Sequence, residues 1–537
     1  MTLPINIMMW TLALFPILIL LVLMIKFQLG ASKAAPIGLI IAIINSVIFF
    51  KAGIGVIGTE LLKSIWNAFT IIIIIFTAIL IYEVTNEAKA FKVLKNSIKK
   101  IVPNELLRII GIGVVFASFL QGVTGFGVPV AVTSPILIAI GVKPIWAVII
   151  PLIGHCWAGT FGTLAVAWQS LIMQTGIKDT VLLNKTAIFA TSFIWLLNFT
   201  AITVICWFYG RKKAVKKGFL AIVVISIIQS GGQLLFCQIN QILACFIPSC
   251  IALVVFFLLS RSKYYRSDWE IANSQIMNRT SNKKEITLKA KGNMNIHQAF
   301  IPYYIMTFIT LSVLLIPIIN NFLGQWSIAP TFSETSTGYG IVNPAVKFYS
   351  PIKPFTNAGT FLFISAVCGF IYYLRKGYLP NNSAKTILTR SLKKTLPSSI
   401  AVMSLIMMSR VMEGTGQTTV LALGTAKILG PYYSLIGPFI GLLGSFMTSS
   451  NMSSNIIFGN FQLTTAKLLG LNTSAILGAH TAGGAIGTSI SPGNIVLGTT
   501  TAGIPGKEGN VLKKILPTAL VLTLIFGVIL YISQIIF

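Results

Sequence analysis

Gln121-Gly-Val-Thr-Gly-Phe-Gly-Val-Pro129 interrupts an otherwise apolar run over residues 109–142, and its reading decides the fold. The run is bounded by Arg108 and Lys143 and is too long for one ordinary crossing, which needs roughly 20 residues. Lys and Arg beside a span are retained on the cytoplasmic face. Both ends therefore belong on one side, and the chain must enter the membrane and come back. Glycine tolerates tight backbone and proline interrupts a helix, so the breakers mark the turn of a re-entrant hairpin. Non-helical backbone at that depth survives only where it is buried in protein or lines a cavity. Two tight full crossings are the bland alternative.

The composition agrees. Of 537 residues, 55% are apolar and 9% charged, against about a quarter charged in soluble domains. Residues 71–81 (IIIIIFTAILI) read as a spanning core, and residues 12–25 read as a span rather than a signal peptide. The net charge of +29 comes from 40 Lys and Arg against 11 acids. These lie in short runs between apolar stretches, which excludes a nucleic-acid partner and points to a lipid bilayer. The six cysteines form no CxxC, no His/Cys spacing suggests a metal, and no P-loop is present. No enzyme activity, metal or other cofactor is expected.

Five basic clusters, at residues 89–108, 211–217, 261–291, 375–394 and 507–514, read as cytoplasmic. The third is also a long polar stretch and reads as a flexible loop. Residues 320–353, rich in Ser, Thr and Gly, read as external. With those constraints residues 144–173 run outward and 187–209 inward. In the second half residues 397–412 run outward and 473–501 inward. Residues 431–470 then begin and end outside, with Met447-Thr-Ser-Ser-Asn-Met-Ser-Ser-Asn455 at their centre.

Three matches in the same order relate the halves. His155-x-x-x-Gly159-x-x-Gly162-Thr163 has the spacing of His480-x-x-x-Gly484-x-x-Gly487-Thr488. Ser118-Phe119-Leu120 matches Ser445-Phe446-Met447, and Glu83-Val-Thr85 resembles Glu413-Gly-Thr415. Since the halves begin on opposite sides, the repeat is inverted, a recurring plan of secondary transporters. The expected fold is an all-α polytopic membrane protein with about 12 transmembrane helices, two re-entrant hairpins and broken helices at the midplane. Residues 1–217 form the first half (hairpin 109–142), 218–260 a linker pair, 261–298 a cytoplasmic polar loop, and 299–537 the second half (hairpin 431–470).

Tips of small and hydroxyl residues suit an anion, because helix N-termini present N–H groups and positive partial charge. The candidates are Gln121, Thr124 and Gly125 in the first tip and Ser449, Asn451, Ser453, Ser454 and Asn455 in the second. Against each stands the bland reading that small residues merely allow close helix packing. His155 and His480 hold equivalent places on the broken helices and suit proton coupling, or simple hydrogen bonding. Glu83, Arg410 and Glu413 are further ionisable candidates. Arg410 and Glu413 are three apart and share a helix face, and anchoring at a span end is their bland reading.

The stretches Ser118-Phe-Leu-Gln-Gly-Val-Thr-Gly-Phe-Gly-Val-Pro-Val-Ala131, Gly444-Ser-Phe-Met-Thr-Ser-Ser-Asn-Met-Ser-Ser-Asn455 and Ala479-His-Thr-Ala-Gly-Gly-Ala-Ile-Gly-Thr-Ser-Ile-Ser-Pro492 resemble the bacterial L-lactate permease family. The resemblance implies a proton-coupled importer of L-lactate or a related monocarboxylate (D-lactate, glycolate) in the bacterial inner membrane. It covers most of the chain in layout, and its specific motifs lie at the hairpins and broken helices. The chain departs from the family in two places. Better-known members carry Glu where this chain has Gln121, and their second tip, Gly-Ser-Asp-Thr-Ser-Ser-Asn, holds an acid where this chain has Asn451. With both acids replaced by amides, coupling would fall to His155, His480, Glu83 or Glu413, or to another cation. The alternative function is a cation-coupled carrier of another organic anion such as a dicarboxylate, with a channel or non-transporting scaffold third. Oligomeric state is left open, a homo-oligomer included.

Overall fold

The computed structural model describes residues 3–27, 29–91, 93, 102–125, 127–279 and 294–536. Part of the first basic cluster (94–101), Phe126 of the first tip and residues 280–293 of the polar loop lie outside them.

The first half runs α1 (Ile7–Ile25), α2 (Ala31–Ile48), α3 (Ile54–Glu87), α4 (Glu105–Val123), α5 (Val128–Ala139), α6 (Pro144–Gly154) and α7 (Gly162–Thr175). The long helical run α8 (Thr180–Ile239) and α9 (Phe246–Arg261) follow. The second half holds α10 (Ile301–Leu315), α11 (Pro317–Gly324), α12 (Ala358–Arg375), α13 (Ser383–Gly414), α14 (Gln417–Leu429), α15 (Tyr433–Thr448), α16 (Asn451–Leu468), α17 (Thr473–Ile490), α18 (Pro492–Thr501) and α19 (Glu508–Ile536). A two-stranded antiparallel ribbon, β1 (Thr335–Ser336) with β2 (Val342–Asn343), lies in the loop between α11 and α12.

The molecule is a polytopic helical membrane protein. Among the described residues nine helices are long and apolar enough to cross, or ten if α10 and α11, bent by 85°, form one span. About twelve are expected above, and three stretches account for the difference. α8 counts once in that tally although two spans are expected there: it is two helices joined at a kink, where Gly210 and Arg211 leave helical geometry. Residues 144–173 are divided into two short helices by a 3₁₀ turn at Cys156–Gly159. α9, at 16 residues, is short for a crossing.

Both expected hairpins are helix–break–helix units. α4 and α5 are separated by a break in which Gly125 and Gly127 adopt left-handed backbone (φ +58° and +79°). α15 and α16 are separated at Ser449, also left-handed, and Ser450 caps α16 by accepting from the Ser453 N–H at 3.3 Å. The expected symmetry of the broken helices does not extend to the histidines. α6 ends at His155, whereas α17 continues through His480 and stops only at Ser491. Close packing explains the intact helix. A Cβ on Gly441 would stand 2.0 Å from the His480 carbonyl oxygen, and one on Gly483 would stand 2.1 Å from that of Pro438. These glycines let α15 and α17 approach backbone to backbone, the packing role weighed above for small residues.

The polar stretch after α9 reads as a flexible loop, yet its described part is packed. Tyr265 and Ile276 are fully buried. Arg279 donates to both oxygens of Glu105 (2.9 and 2.8 Å), and the Asn278 N–H donates to the Gly141 carbonyl. The Lys143 N–H donates to the Ile276 carbonyl. Residues 262–279 thus strap together the start of α4 and the α5–α6 turn. The predominantly polar composition of this stretch hid the few buried anchors that do this.

Candidate functional site

Gln121 and Gly127 from the first break and Ser449, Ser450, Asn451 and Met452 from the second line one cavity of about 60 Å³. His155, Gly159, Gly162, Thr163, Val166, Ala167, Thr488 and Asn494 complete its wall. A water-sized sphere needs roughly 10–15 Å³ by this measure, so the space suits a solute of a few heavy atoms. None of these side chains is an acid, a lysine or an arginine.

Polarity comes instead from backbone and amides. α5 starts beside the cavity at Gly127, α16 at Ser450, and the first turn of α18 brings Asn494. Each helix start carries positive partial charge, although Pro129 and Pro492 bring no N–H to theirs and the Gly493 N–H is already taken by Ser449 Oγ at 3.0 Å. Opposite them, Thr163, Leu164 and Ala165 form a left-handed turn (φ +50°, +51° and +66°). Left-handed backbone costs about 1–2 kcal/mol per non-glycine residue, and such strain clusters at functional sites. The turn brings the Thr163 hydroxyl against Gly125, where a Cβ would stand 2.2 Å from it. Only glycine fits that position of the first tip.

His155 caps α6, and its Nδ1 is hydrogen-bonded to the Pro151 carbonyl. A carbonyl only accepts, so Nδ1 carries the proton and a neutral ring presents Nε2 as its acceptor. Asn451 is held more firmly. Its Nδ2 donates to Thr160 Oγ1 (3.1 Å), to the Thr481 carbonyl (3.1 Å) and to Thr481 Oγ1 (3.3 Å). One turn on, Asn455 Nδ2 donates to the Ala167 carbonyl (2.9 Å) and to Thr481 Oγ1 (3.1 Å). Thr481 is thus the hub that orients both asparagines, and Thr160 ties them to the first half.

The other sequence candidates lie outside the cavity lining. The Thr124 hydroxyl donates to the Leu120 carbonyl, and the Ser454 hydroxyl to the Gly441 carbonyl. Gly125 packs against the Thr163 hydroxyl, the Ser453 N–H donates to Ser450 Oγ, and Asn455 reaches the wall through Ala167. His480 is fully buried beside Gln462, whose amide Nε2 lies 3.2 Å from His480 Nδ1. Glu83 pairs with Lys394 at 2.5 Å. Arg410 and Glu413 pair at 3.0 Å, within a larger group. Arg410 also reaches Glu60 at 2.7 Å, and Lys63 reaches the same Glu60 at 2.7 Å. The Tyr349 ring from the loop after β2 covers both cations.

Sequence reading missed Thr163, Ser450, Thr488 and Asn494 on the wall, Thr160 and Thr481 behind it, and Glu60 in the charge group with Arg410. A signal existed for two of them, since Gly162-Thr163 and Gly487-Thr488 end the repeated motif. Glu60 gave one in Lys63, three residues on along the same helix, but its pairing with Arg410 exists only once the chain has folded.

A sequence profile described as L-lactate permease matches residues 10–537. An L-lactate permease of Halalkalibacterium halodurans is 26% identical over 98% of this chain and 97% of its own length. An L-lactate permease of Escherichia coli is 24% identical over 96% and 94%. The Escherichia coli glycolate permease GlcA is 25% identical over 98% and 95%. The solved Alcanivorax borkumensis YdaH transporter aligns with 86% of this chain and 84% of its own at 13% identity and a TM-score of 0.40, too distant to carry an argument.

Proposed function

The chain belongs to the L-lactate permease family, whose members are transporters rather than enzymes, and on that premise we propose that it takes up lactate or glycolate by alternating access around the cavity between the two tips. The observation that carries the reading is the shared wall. Two breaks far apart in sequence meet at one small, uncharged, polar space, with three helix starts beside it. A carboxylate accepts N–H groups at helix starts without needing a basic side chain. A 2-hydroxyl finds donors and acceptors in Gln121, Thr163, Ser449 and Asn494. The space is tight for a dicarboxylate and holds no lysine or arginine side chain, which disfavours the alternative substrate class.

The two helix–break–helix units entering from opposite faces would form the halves of an inverted repeat in a bacterial inner membrane. Proton symport, which the family resemblance implies, has one titratable candidate on the wall, His155. The test is uptake of labelled L-lactate into proteoliposomes under an imposed pH gradient, with unlabelled glycolate and succinate as competitors. Saturable accumulation competed by glycolate and not by succinate is expected. Preference for succinate, or uptake that never saturates, would overturn the proposal.

A further inference from the structure

We propose a binding site for a monovalent metal cation of sodium's class beside the second tip, formed by Asn451 and Ser445 at the face of Gly484, among α15, α16 and α17, with Asn455 one turn away. It rests on the carrier reading, and the ion would accompany the carboxylate. The starting point is the orientation of the two asparagines. The Thr481 carbonyl holds the Asn451 amide nitrogen, and the Ala167 carbonyl holds that of Asn455. Since carbonyls only accept, neither amide can be turned over, and each side-chain oxygen must face the other way.

Those two oxygens, Asn451 Oδ1 and Asn455 Oδ1, are buried and have no hydrogen-bond partner, and the same is true of Ser445 Oγ. Asn451 is 3% exposed, and Asn455 and Ser445 are fully buried. Asn451 Oδ1 and Ser445 Oγ converge on one spot, the face of Gly484. A Cβ there would stand 2.0 Å from the first and 3.0 Å from the second. Asn455 lies one helical turn from Asn451 on the same face.

A buried polar oxygen without a partner is costly, and native proteins rarely leave two facing one spot. Amide and hydroxyl oxygens are ligands for hard cations. The absence of a carboxylate from the set favours a single positive charge, as carbonyl-lined potassium filters do. Ser445 stands in the last turn of α15, where the helix end carries negative partial charge. The N-terminal end of α16 offers the opposite polarity on the cavity side. The second tip therefore presents one helix end suited to the carboxylate and one suited to a cation. With Gln121 and Asn451 in place of acids, a metal ion supplies charge compensation that an amide cannot supply by protonation.

The experiment uses the purified full-length protein and sodium ion as probe. Its thermal unfolding is followed in NaCl, KCl and choline chloride at equal ionic strength and fixed pH. Lactate uptake into proteoliposomes is measured with and without an inward sodium gradient. A saturable rise in unfolding temperature with Na⁺ or K⁺ over choline is expected, together with faster uptake under that cation's gradient. Ser445→Ala removes one ligand, and loss of about 1.4 kcal/mol of binding corresponds to about a tenfold rise in the half-saturating cation concentration. An indifferent unfolding temperature, or a cation effect untouched by Ser445→Ala, would overturn the site and leave water as the occupant of those oxygens. Uptake driven by pH alone in sodium-free buffer, with no cation effect, would refute the site while leaving the carrier reading intact. Absence of lactate uptake under every gradient would refute the carrier reading, and the unfolding series would still decide the site.

Discussion

Replacing Thr481 with valine tests whether the hub of the asparagine network sets substrate affinity. Valine keeps the shape of threonine and removes only the hydroxyl, which accepts from Asn451 Nδ2 at 3.3 Å and Asn455 Nδ2 at 3.1 Å and shares a hydrogen bond with Thr160 Oγ1 at 3.2 Å. Neither donor is orphaned by the change. Asn451 retains Thr160 Oγ1 and the Thr481 carbonyl, and Asn455 retains the Ala167 carbonyl. The full penalty for an unsatisfied buried group therefore does not apply. The loss is that of three ordinary hydrogen bonds, at about 0.5–1.5 kcal/mol each. All three are long, which places each near the low end and the sum at about 1.5–2 kcal/mol. At about 1.4 kcal/mol per factor of ten, the ceiling on the rise in KM is roughly thirtyfold. Thr481→Ser restores the hydroxyl and should restore KM. The assay is labelled L-lactate uptake in proteoliposomes, with thermal unfolding as a check that the variant folds. An unchanged KM in Thr481→Val, or a serine variant as impaired as the valine one, would refute the reasoning.

Glu60→Gln should destabilise the protein by about 3–5 kcal/mol, since it leaves Lys63 and Arg410 short of a buried counter-charge. Glu413→Gln should cost far less, because the Glu413 side chain is 32% exposed, and equal losses in thermal melts would count against this account. Gly484→Ala places a methyl 2.0 Å from Asn451 Oδ1 and must displace that side chain, at about 1–3 kcal/mol of overpacking. Uptake should fall sharply while the variant still folds, and wild-type uptake would contradict the close approach. His155→Gln should alter the pH profile of uptake, because His155 is on the cavity wall, whereas His480→Gln should leave the profile in place. A changed profile in the His480 variant alone would reverse the assignment.

The places where sequence reading reached the site, and where it stopped, follow from the range of the interactions involved. Gln121 and Asn451 were legible because glycine, proline and clustered hydroxyls inside apolar runs violate the local pattern of a spanning helix. Arg410 and Glu413 were legible as a pair because three residues on a helix is a local spacing. The equivalence of His155 and His480 misled. Identical spacing says nothing of whether the helix continues, and packing of α17 on the glycines of α15 kept it whole around His480. The strap at residues 262–279 was illegible for the complementary reason. Its anchors are single residues whose partners, Glu105 and Gly141, are remote in sequence.

By itself, then, the sequence determined that the chain lives in a bilayer, where its spans are interrupted, and which family it resembles. These properties follow from hydropathy, breakers and short motifs, all written along the chain. Tertiary structure alone decided that the two interruptions share one cavity and that Thr160 and Thr481 hold the tip asparagines. It also decided that Glu60 closes a buried charge group with Arg410. Those facts depend on contacts between residues from 26 to 350 positions apart in different segments, and a linear pattern carries no signal for a partner that only folding supplies.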